Sequence, residues 1–194
     1  NLEEKEPPPA TIGAVVLLRT VSEGGNGQKR RMQVMHSGSF DDLVAKSAKM
    51  RHVVEQAQRM AKMDSPLLLV GETGTGKDVF AKACHLYSVR GNQPFLGLNC
   101  ASMPDDVVET ELFGYAAGAY ANSTEPKKGF FEQANGGTVL LDEIAEMSPQ
   151  MQIKLLRFLN DGTFRRVGEE HEVKVDVRVI CATQKNLLEL VKEG

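Results

Sequence analysis

A short apolar run, Pro66-Leu67-Leu68-Leu69-Val70, passes directly into Gly71-Glu72-Thr73-Gly74-Thr75-Gly76-Lys77-Asp78, then into the helix-compatible Val79-Phe80-Ala81-Lys82-Ala83-Cys84. No other stretch restricts the fold as tightly. Strand, glycine-rich turn, lysine and helix in that order form the context of a phosphate-binding P-loop. Gly71, Gly74 and Gly76 open turn angles closed to other residues, so successive N–H groups point at one anion. The positive end of the following helix adds to that field, and Lys77 brings a full charge to the outer phosphates. A glycine turn with a chance lysine is the alternative, and the flanking strand and helix argue against it. The expected ligand is a nucleoside triphosphate. Asp78 stands where most P-loops carry Ser or Thr for Mg²⁺, and a carboxylate ligates that ion directly or through water.

The 194 residues give room for one α/β domain with a sizeable core and a smaller piece beside it. Hydrophobic residues at 41% and charged ones at 25% are ordinary for a soluble globular protein. A formal net charge of −3 supplies no general attraction to DNA or an anionic membrane, so any nucleic-acid contact needs a local patch or sequence outside this chain. No apolar run approaches a membrane span, and no signal peptide is visible. The three cysteines, Cys84, Cys100 and Cys181, lie far apart in apolar stretches without metal-ligand or redox spacing. They read as reduced, buried thiols, which fits a cytoplasmic protein. A first residue other than Met and an end at Lys192-Glu193-Gly194 read as an excised fragment.

Residues 1–9 are charged, close on Pro7-Pro8-Pro9 and are expected to be irregular. Thr11 to Arg19 is one strand's worth of apolar and β-branched sequence, after which Ser22 to Gly27 turns polar and glycine-rich. A lone strand cannot bury itself, so residues 1–20 are expected to end a preceding domain, with 21–37 a linker and 38–194 the nucleotide-binding core. The basic Lys29-Arg30-Arg31 is a solvated linker face on the plainer reading, a nucleic-acid contact on the other. Met50, Val53, Val54, Ala57, Met60 and Ala61 recur at helical spacing and predict an amphipathic helix from Met50 to Met63.

Further on, Pro94 to Asn99 reads as a strand and Pro104 to Phe113 as a helix, with Ser102 and Asp105 in a capping-box-like arrangement. Gly114 to Lys128 is small, polar and mostly loop. Thr138 to Glu143 is a buried strand ending in two acids. Ser148-Pro149 opens a helix whose apolar stripe is Met151, Ile153, Leu155, Leu156 and Leu159, and Gly162 ends it. Thr163 to Val167 and Glu172 to Val175 predict a hairpin across Gly168, and Val177 to Thr183 a last core strand. Strands alternating with helices predict an α/β fold with a mainly parallel sheet covered on both faces.

In such sheets the ligand lies beyond the carboxyl ends of the strands, so the acids after Leu141 are the expected partners of the P-loop. Asp142 suits the metal, and Glu143 suits polarising the water that attacks the terminal phosphate. Five further blocks complete a pattern with the P-loop: Leu98-Asn99-Cys100-Ala101, Glu111-Leu112-Phe113-Gly114, Lys128 to Gly137, Asp142-Glu143 and Arg165-Arg166-Val167-Gly168. Together they resemble the AAA+ domain of the NtrC-like bacterial enhancer-binding proteins, over residues 38–194. The resemblance implies an AAA+ P-loop core, ATP and Mg²⁺ as cofactors, self-assembly from dimer to hexamer and RNA polymerase as a partner. DNA binding is implied through a helix-turn-helix outside this chain. The arginine fingers and helical lid are implied beyond Gly194, so this stretch alone is expected to hydrolyse ATP poorly.

That family itself carries an acid after the P-loop lysine, which accounts for Asp78 as a metal ligand beside Asp142. Asn99 resembles the switch asparagine that holds the water-polarising glutamate, here Glu143, although a bare Asn at a strand end is more often a turn former. Thr183 and Gln184 fall on the first sensor, where the family usually has Thr-Asn, and Gln184 is one methylene longer. Sigma-54 activators carry Gly-Ala-Phe-Thr-Gly-Ala where this chain has Gly118-Ala119-Tyr120-Ala121-Asn122-Ser123. The loss of the threonine and second glycine speaks against sigma-54 contact, and a solvated insertion without a partner is the plain alternative.

Within the family, Phe158 to Gly168 and Ile180 to Leu187 are most similar to regulators that answer to an aromatic amino acid and work with the housekeeping polymerase. Gly13 to Arg19 is similar to the end of their sensory PAS domain. The resemblance therefore implies a regulatory module coupling ATP and an aromatic amino-acid effector to oligomerisation and gene control. Its rival is an ATPase that remodels sigma-54 polymerase. A metabolic P-loop kinase would need a lid and acceptor site that the sequence does not offer.

Overall fold

Several of the strands are near-continuous apolar runs, and a strand that is apolar on both sides needs cover on both faces. The computed structural model describes residues 14–18, 38–43 and 45–193. Its elements are β1 (Ala14–Leu18), α1 (Ala48–Ala61), β2 (Leu67–Gly71), α2 (Lys77–Leu86), β3 (Phe95–Asn99), α3 (Asp105–Phe113), β4 (Gly114–Tyr115) and β5 (Lys127–Lys128). Then come α4 (Phe130–Gln133), β6 (Thr138–Asp142), α5 (Pro149–Asp161), β7 (Thr163–Arg165), β8 (Glu172–Lys174), β9 (Arg178–Thr183) and α6 (Leu187–Glu193). The main sheet runs β1-β2-β9-β6-β3, and every pair in it is parallel. No described helix is long and apolar enough to cross a membrane.

Successive residues along the inner strands go to opposite layers, as the two-residue period of a strand requires. Val139 and Leu141 of β6 pack with Val108, Leu112, Phe131, Met151 and Phe158 of α3, α4 and α5. Leu140, between them, packs with Leu69, Ile180, Ala57, Phe80 and Cys84 in the layer of α1 and α2. Ser47 starts α1 by accepting the Met50 N–H at 3.1 Å. At its far end the buried Arg178 donates to the carbonyls of Met60, Ala61 and Ser65 at 3.0, 2.8 and 3.1 Å. Met60 and Ala61 are in the last turn of α1, whose carbonyls run short of partners within the helix, and Ser65 lies just beyond it. Burial lowers the Arg178 pKa, and the three bonds offset part of the cost of that buried charge.

Several expectations are met and several are corrected. α5 begins as expected, with Ser148 Oγ accepting the Met151 N–H at 3.4 Å and Pro149 in the first turn, and it ends at Gly162. Its buried stripe, however, is Met151, Leu155 and Phe158, while Ile153, Leu156 and Leu159 are exposed. Steps of four and three keep one helix face, whereas Ile153 and Leu156 fall on the flank. Pro104, not Ser102, precedes α3; Ser102 Oγ donates to Asn99 O at 2.9 Å and closes the preceding turn instead. Within the 114–128 stretch, β4 and β5 pair antiparallel and frame the loop. The β7–β8 hairpin forms as expected, with Phe164 opposite Val173.

β1 is not a lone strand. It lies parallel to β2, from Ala14 beside Leu67 to Leu18 beside Gly71. The edge of β2 offers a row of backbone donors and acceptors, and an apolar strand satisfies them. The irregular run 1–9, the linker 21–37 and the basic Lys29-Arg30-Arg31 lie outside the described residues.

Candidate functional site

Parallel strands send their carboxyl ends to one edge of the sheet, and the chemistry of this chain collects there. Gly71 ends β2, Thr183 ends β9, Asp142 ends β6 and Asn99 ends β3. Strand order seats β9 between β2 and β6, so Thr183 and Gln184 stand between the P-loop and the acids.

The P-loop turns through Gly74 and Gly76, at φ 79° and 80°. Nothing lies within 4 Å of where a Cβ would sit on either, so backbone conformation rather than crowding requires glycine there. Thr75 closes the turn by donating its N–H and Oγ1 to Glu72 O at 3.3 and 2.7 Å. α2 follows with no side-chain cap, which leaves its first N–H groups and the positive end of its dipole to an anion. Lys77 is only 7% exposed, and its Nζ donates to Gly71 O at 2.9 Å and Glu72 O at 3.2 Å. Asp78, next to it, is exposed.

Across the edge, Asp142 Oδ1 accepts the Glu143 N–H at 3.0 Å and its Oδ2 accepts from Asn99 Nδ2 at 3.4 Å. The bond expected between Asn99 and Glu143 is not made. Parallel register sets Asn99 directly beside Asp142, and Asn99 Oδ1 also accepts the Ala101 N–H at 2.9 Å, the turn-forming role. Glu143 has φ 53° and ψ 46°, the one positive φ outside glycine among the described residues. Such a conformation costs on the order of 1–3 kcal/mol and clusters at functional sites. Its Oε2 is buried without a hydrogen-bond partner. One residue thus combines a strained backbone with a buried oxygen that the protein itself leaves unmatched.

Thr183 is fully buried, and its Oγ1 accepts the Lys185 N–H at 3.1 Å. Gln184 Oε1 accepts from Thr73 Oγ1 at 2.7 Å, a contact across 111 residues that no spacing rule reveals. Burial pushes the thiol of Cys100, just after β3, up to about 12, with Asp142 adding to the shift. Among the described residues no three His, Cys, Asp or Glu side chains gather into a metal cage. Asp78 lies in the first turn of α2 and Asp142 at the end of β6, both at the carboxyl edge of the sheet.

The loop between β4 and β5 is closed on itself. Gly118 N–H donates to Ser123 O at 2.6 Å, Ser123 N–H to Tyr120 O at 3.0 Å, and Tyr120 N–H to Ser123 Oγ at 2.8 Å. Tyr120 meets Tyr115 edge-on, with ring centroids 5.6 Å apart. Ala121 and Asn122 are exposed, while Ala119 packs on Gly168. At φ 77°, and with only 2.9 Å between a Cβ and that of Ala119, position 168 admits glycine alone. Beneath, Arg166 binds both oxygens of Glu132 at 2.7 and 2.8 Å, and Val167 N–H donates to Gly114 O at 3.0 Å. The Arg166–Gly168 stretch is thus the footing of the loop, a role its sequence does not announce.

The family model of the sigma-54 interaction domain matches residues 43–194. The chain belongs to that family. It is 64% identical over 192 residues to the HTH-type transcriptional regulatory protein TyrR of Enterobacter agglomerans, covering 99% of this chain and 37% of that protein. To the Nif-specific regulatory protein of Azotobacter vinelandii it is 45% identical over 186 residues, covering 95% of this chain and 36% of that protein. The chain thus spans little more than a third of the length of these relatives. NtrX of Brucella abortus, solved in complex with ATP, matches with a TM-score of 0.71 at 38% identity, over 79% of this chain and 33% of that one. The same protein has been solved with ADP. The α/β AAA+ core and the likeness to TyrR both stand as the sequence led us to expect.

Proposed function

We propose that this chain is the ATP-binding AAA+ module of a DNA-binding transcriptional regulator of the TyrR type. In this reading ATP and an aromatic amino-acid effector control its oligomerisation, from dimer to hexamer, and the expression of aromatic amino-acid genes in the cytoplasm. The observation that carries it is the convergence of the glycine turn, the buried Lys77, Asp142 and the strained Glu143 on one sheet edge. The 64% identity to a TyrR supports the regulatory half.

Residues 71–78 cradle the phosphates, with Lys77 exchanging carbonyl oxygens for phosphate oxygens. Asp78 and Asp142 hold Mg²⁺, which supplies neutralising charge at the phosphates when bound. Glu143 orients water, Asn99 fixes Asp142, and Thr183 and Gln184 stand between the P-loop and the acids. DNA is bound by a domain outside this chain, and RNA polymerase is engaged by the regulator as a whole. Residues 1–20 close a sensory domain, 21–37 link it and 38–194 form the core, with Ala14–Leu18 seated on β2 as the contact between the two.

The second reading is an ATPase that remodels sigma-54 polymerase. The family's name and the intact Asp142-Glu143 pair favour it. Against it stand the altered Gly118–Ser123 loop, folded onto its own backbone, and the lower identity to the Nif-specific regulator. Purified full-length regulator carrying this chain separates the two. With ATP and an aromatic amino acid, it is expected to control transcription by the housekeeping polymerase and to leave sigma-54 promoters closed. Robust opening of a sigma-54 promoter hands the chain to the second reading.

A further inference from the structure

Two consecutive residues after β9 reach to the elements on either side of that strand. Gln184 Oε1 accepts the hydroxyl of Thr73, in the P-loop, at 2.7 Å. Lys185 Nζ lies 2.7 Å from Glu146 Oε1, in the helical turn Ile144–Glu146 that follows Glu143. Thr183 Oγ1, itself buried, accepts the Lys185 N–H at 3.1 Å and so fixes the course of the chain as it leaves the sheet. The clasp therefore has a rigid root and two arms.

We propose that Gln184-Lys185 is a clasp that positions the tip of the P-loop against the turn bearing Glu143, shaping the phosphate cradle before a nucleotide enters it. This rests on the nucleotide-site reading and adds to it a pair of positioning residues, Thr73 and Gln184. The physical need is clear from the loop itself. With Gly74 and Gly76 in left-handed angles, the backbone of the loop has much freedom to lose on binding. A tether at Thr73 removes part of that freedom beforehand, which is how preorganisation raises affinity. Side-chain length is part of the device, since asparagine at 184 is one methylene short of the same hydroxyl. Both arms are exposed, and the Lys185–Glu146 ion pair, which salt screens, is the weaker of the two.

Calorimetric titration of the 194-residue chain with ATP and with ADP tests this. Thr73→Val, Gln184→Ala and Gln184→Asn are each expected to weaken binding by about threefold to tenfold, the span of one neutral hydrogen bond. The double variant Thr73→Val/Gln184→Ala is expected to bind no more weakly than the worse single variant, and Thr73→Ser to restore most of the affinity lost in Thr73→Val. Lys185→Ala is expected to lose less than about twofold, and to lose nothing in high salt. Unchanged affinity in Thr73→Val and Gln184→Ala, or losses that multiply in the double variant, overturns the clasp. Lys77→Ala run alongside keeps the two questions apart: parental affinity in that variant removes the nucleotide site itself, whereas its loss beside a parental Gln184→Ala removes the clasp alone.

Discussion

The P-loop edge and the Gly118–Ser123 loop are both glycine-bearing turns at the surface, yet they treat their polar groups in opposite ways. At the P-loop edge, α2 starts uncapped, a buried ammonium rests on two backbone carbonyls, and Glu143 keeps a buried oxygen unmatched in a strained backbone. In the other loop, Gly118, Tyr120 and Ser123 bond to one another and the two tyrosines pack together. A turn that leaves helix N–H groups and a buried carboxylate oxygen without side-chain partners is suited to binding something there. One that satisfies itself presents only side chains, and its specificity rests on which side chains those are.

The largest effect is expected at the most charged point of the P-loop edge. Glu143→Gln in the full-length regulator is expected to leave nucleotide binding in place while hydrolysis falls by about 10²–10⁴, the usual worth of a positioned general base. Asp142→Asn is expected to raise the Mg²⁺ requirement as well. Hydrolysis at the parental rate in Glu143→Gln, followed by phosphate release, leaves the strained glutamate without a catalytic role. Lys77→Ala comes next, with ATP affinity lower by about tenfold or more, because a charge-assisted bond in a desolvated cradle is lost. Equal affinities by calorimetry contradict the P-loop assignment.

On the loop side, Ala121→Thr/Asn122→Gly/Ser123→Ala restores the last three residues of the sigma-54 activator motif but removes the Ser123 hydroxyl that Tyr120 N–H uses. Partial opening of a sigma-54 promoter is expected of this variant and none of the parent, measured with purified polymerase. Activity in the parent erases the contrast between the two turns.

A smaller effect sharpens the same contrast at the opposite end of the sheet. His85 is buried with its Nδ1 2.9 Å from Thr138 Oγ1, and burial lowers its pKa. A folded pKa below the unfolded value of about 6.5 means that the unfolded chain takes up the proton first. Stability is therefore full above about pH 6.5 and falls as the pH drops towards the folded value. The urea midpoint is expected to drop between roughly pH 7.5 and 5.5, and His85→Gln to flatten that drop. A midpoint that rises on acidification reverses the sign. Smallest of all, Cys84 is buried with its thiol pushed up to about 12 by burial, so it is expected to resist maleimide labelling until the chain unfolds.

Much of this site was legible from residues alone, because the rules involved act over a few positions. Turn angles required glycine at 74 and 76, a proline after Ser148 opened a helix, and two acids after an apolar strand marked its carboxyl end. What ran out was everything that depends on neighbours in space. Asn99 was expected on Glu143 and lies on Asp142 because register, not sequence order, sets which strand ends meet. Phe158 rather than Ile153 entered the core of α5 because the sheet chose which helix face to cover. The strand order that puts β9 between β2 and β6 follows from packing of helices on two faces, and only that order brings Gln184 to Thr73. Local conformation is encoded within a turn's length of chain; partnership between distant segments is decided when burial of the apolar strands selects one arrangement of the sheet.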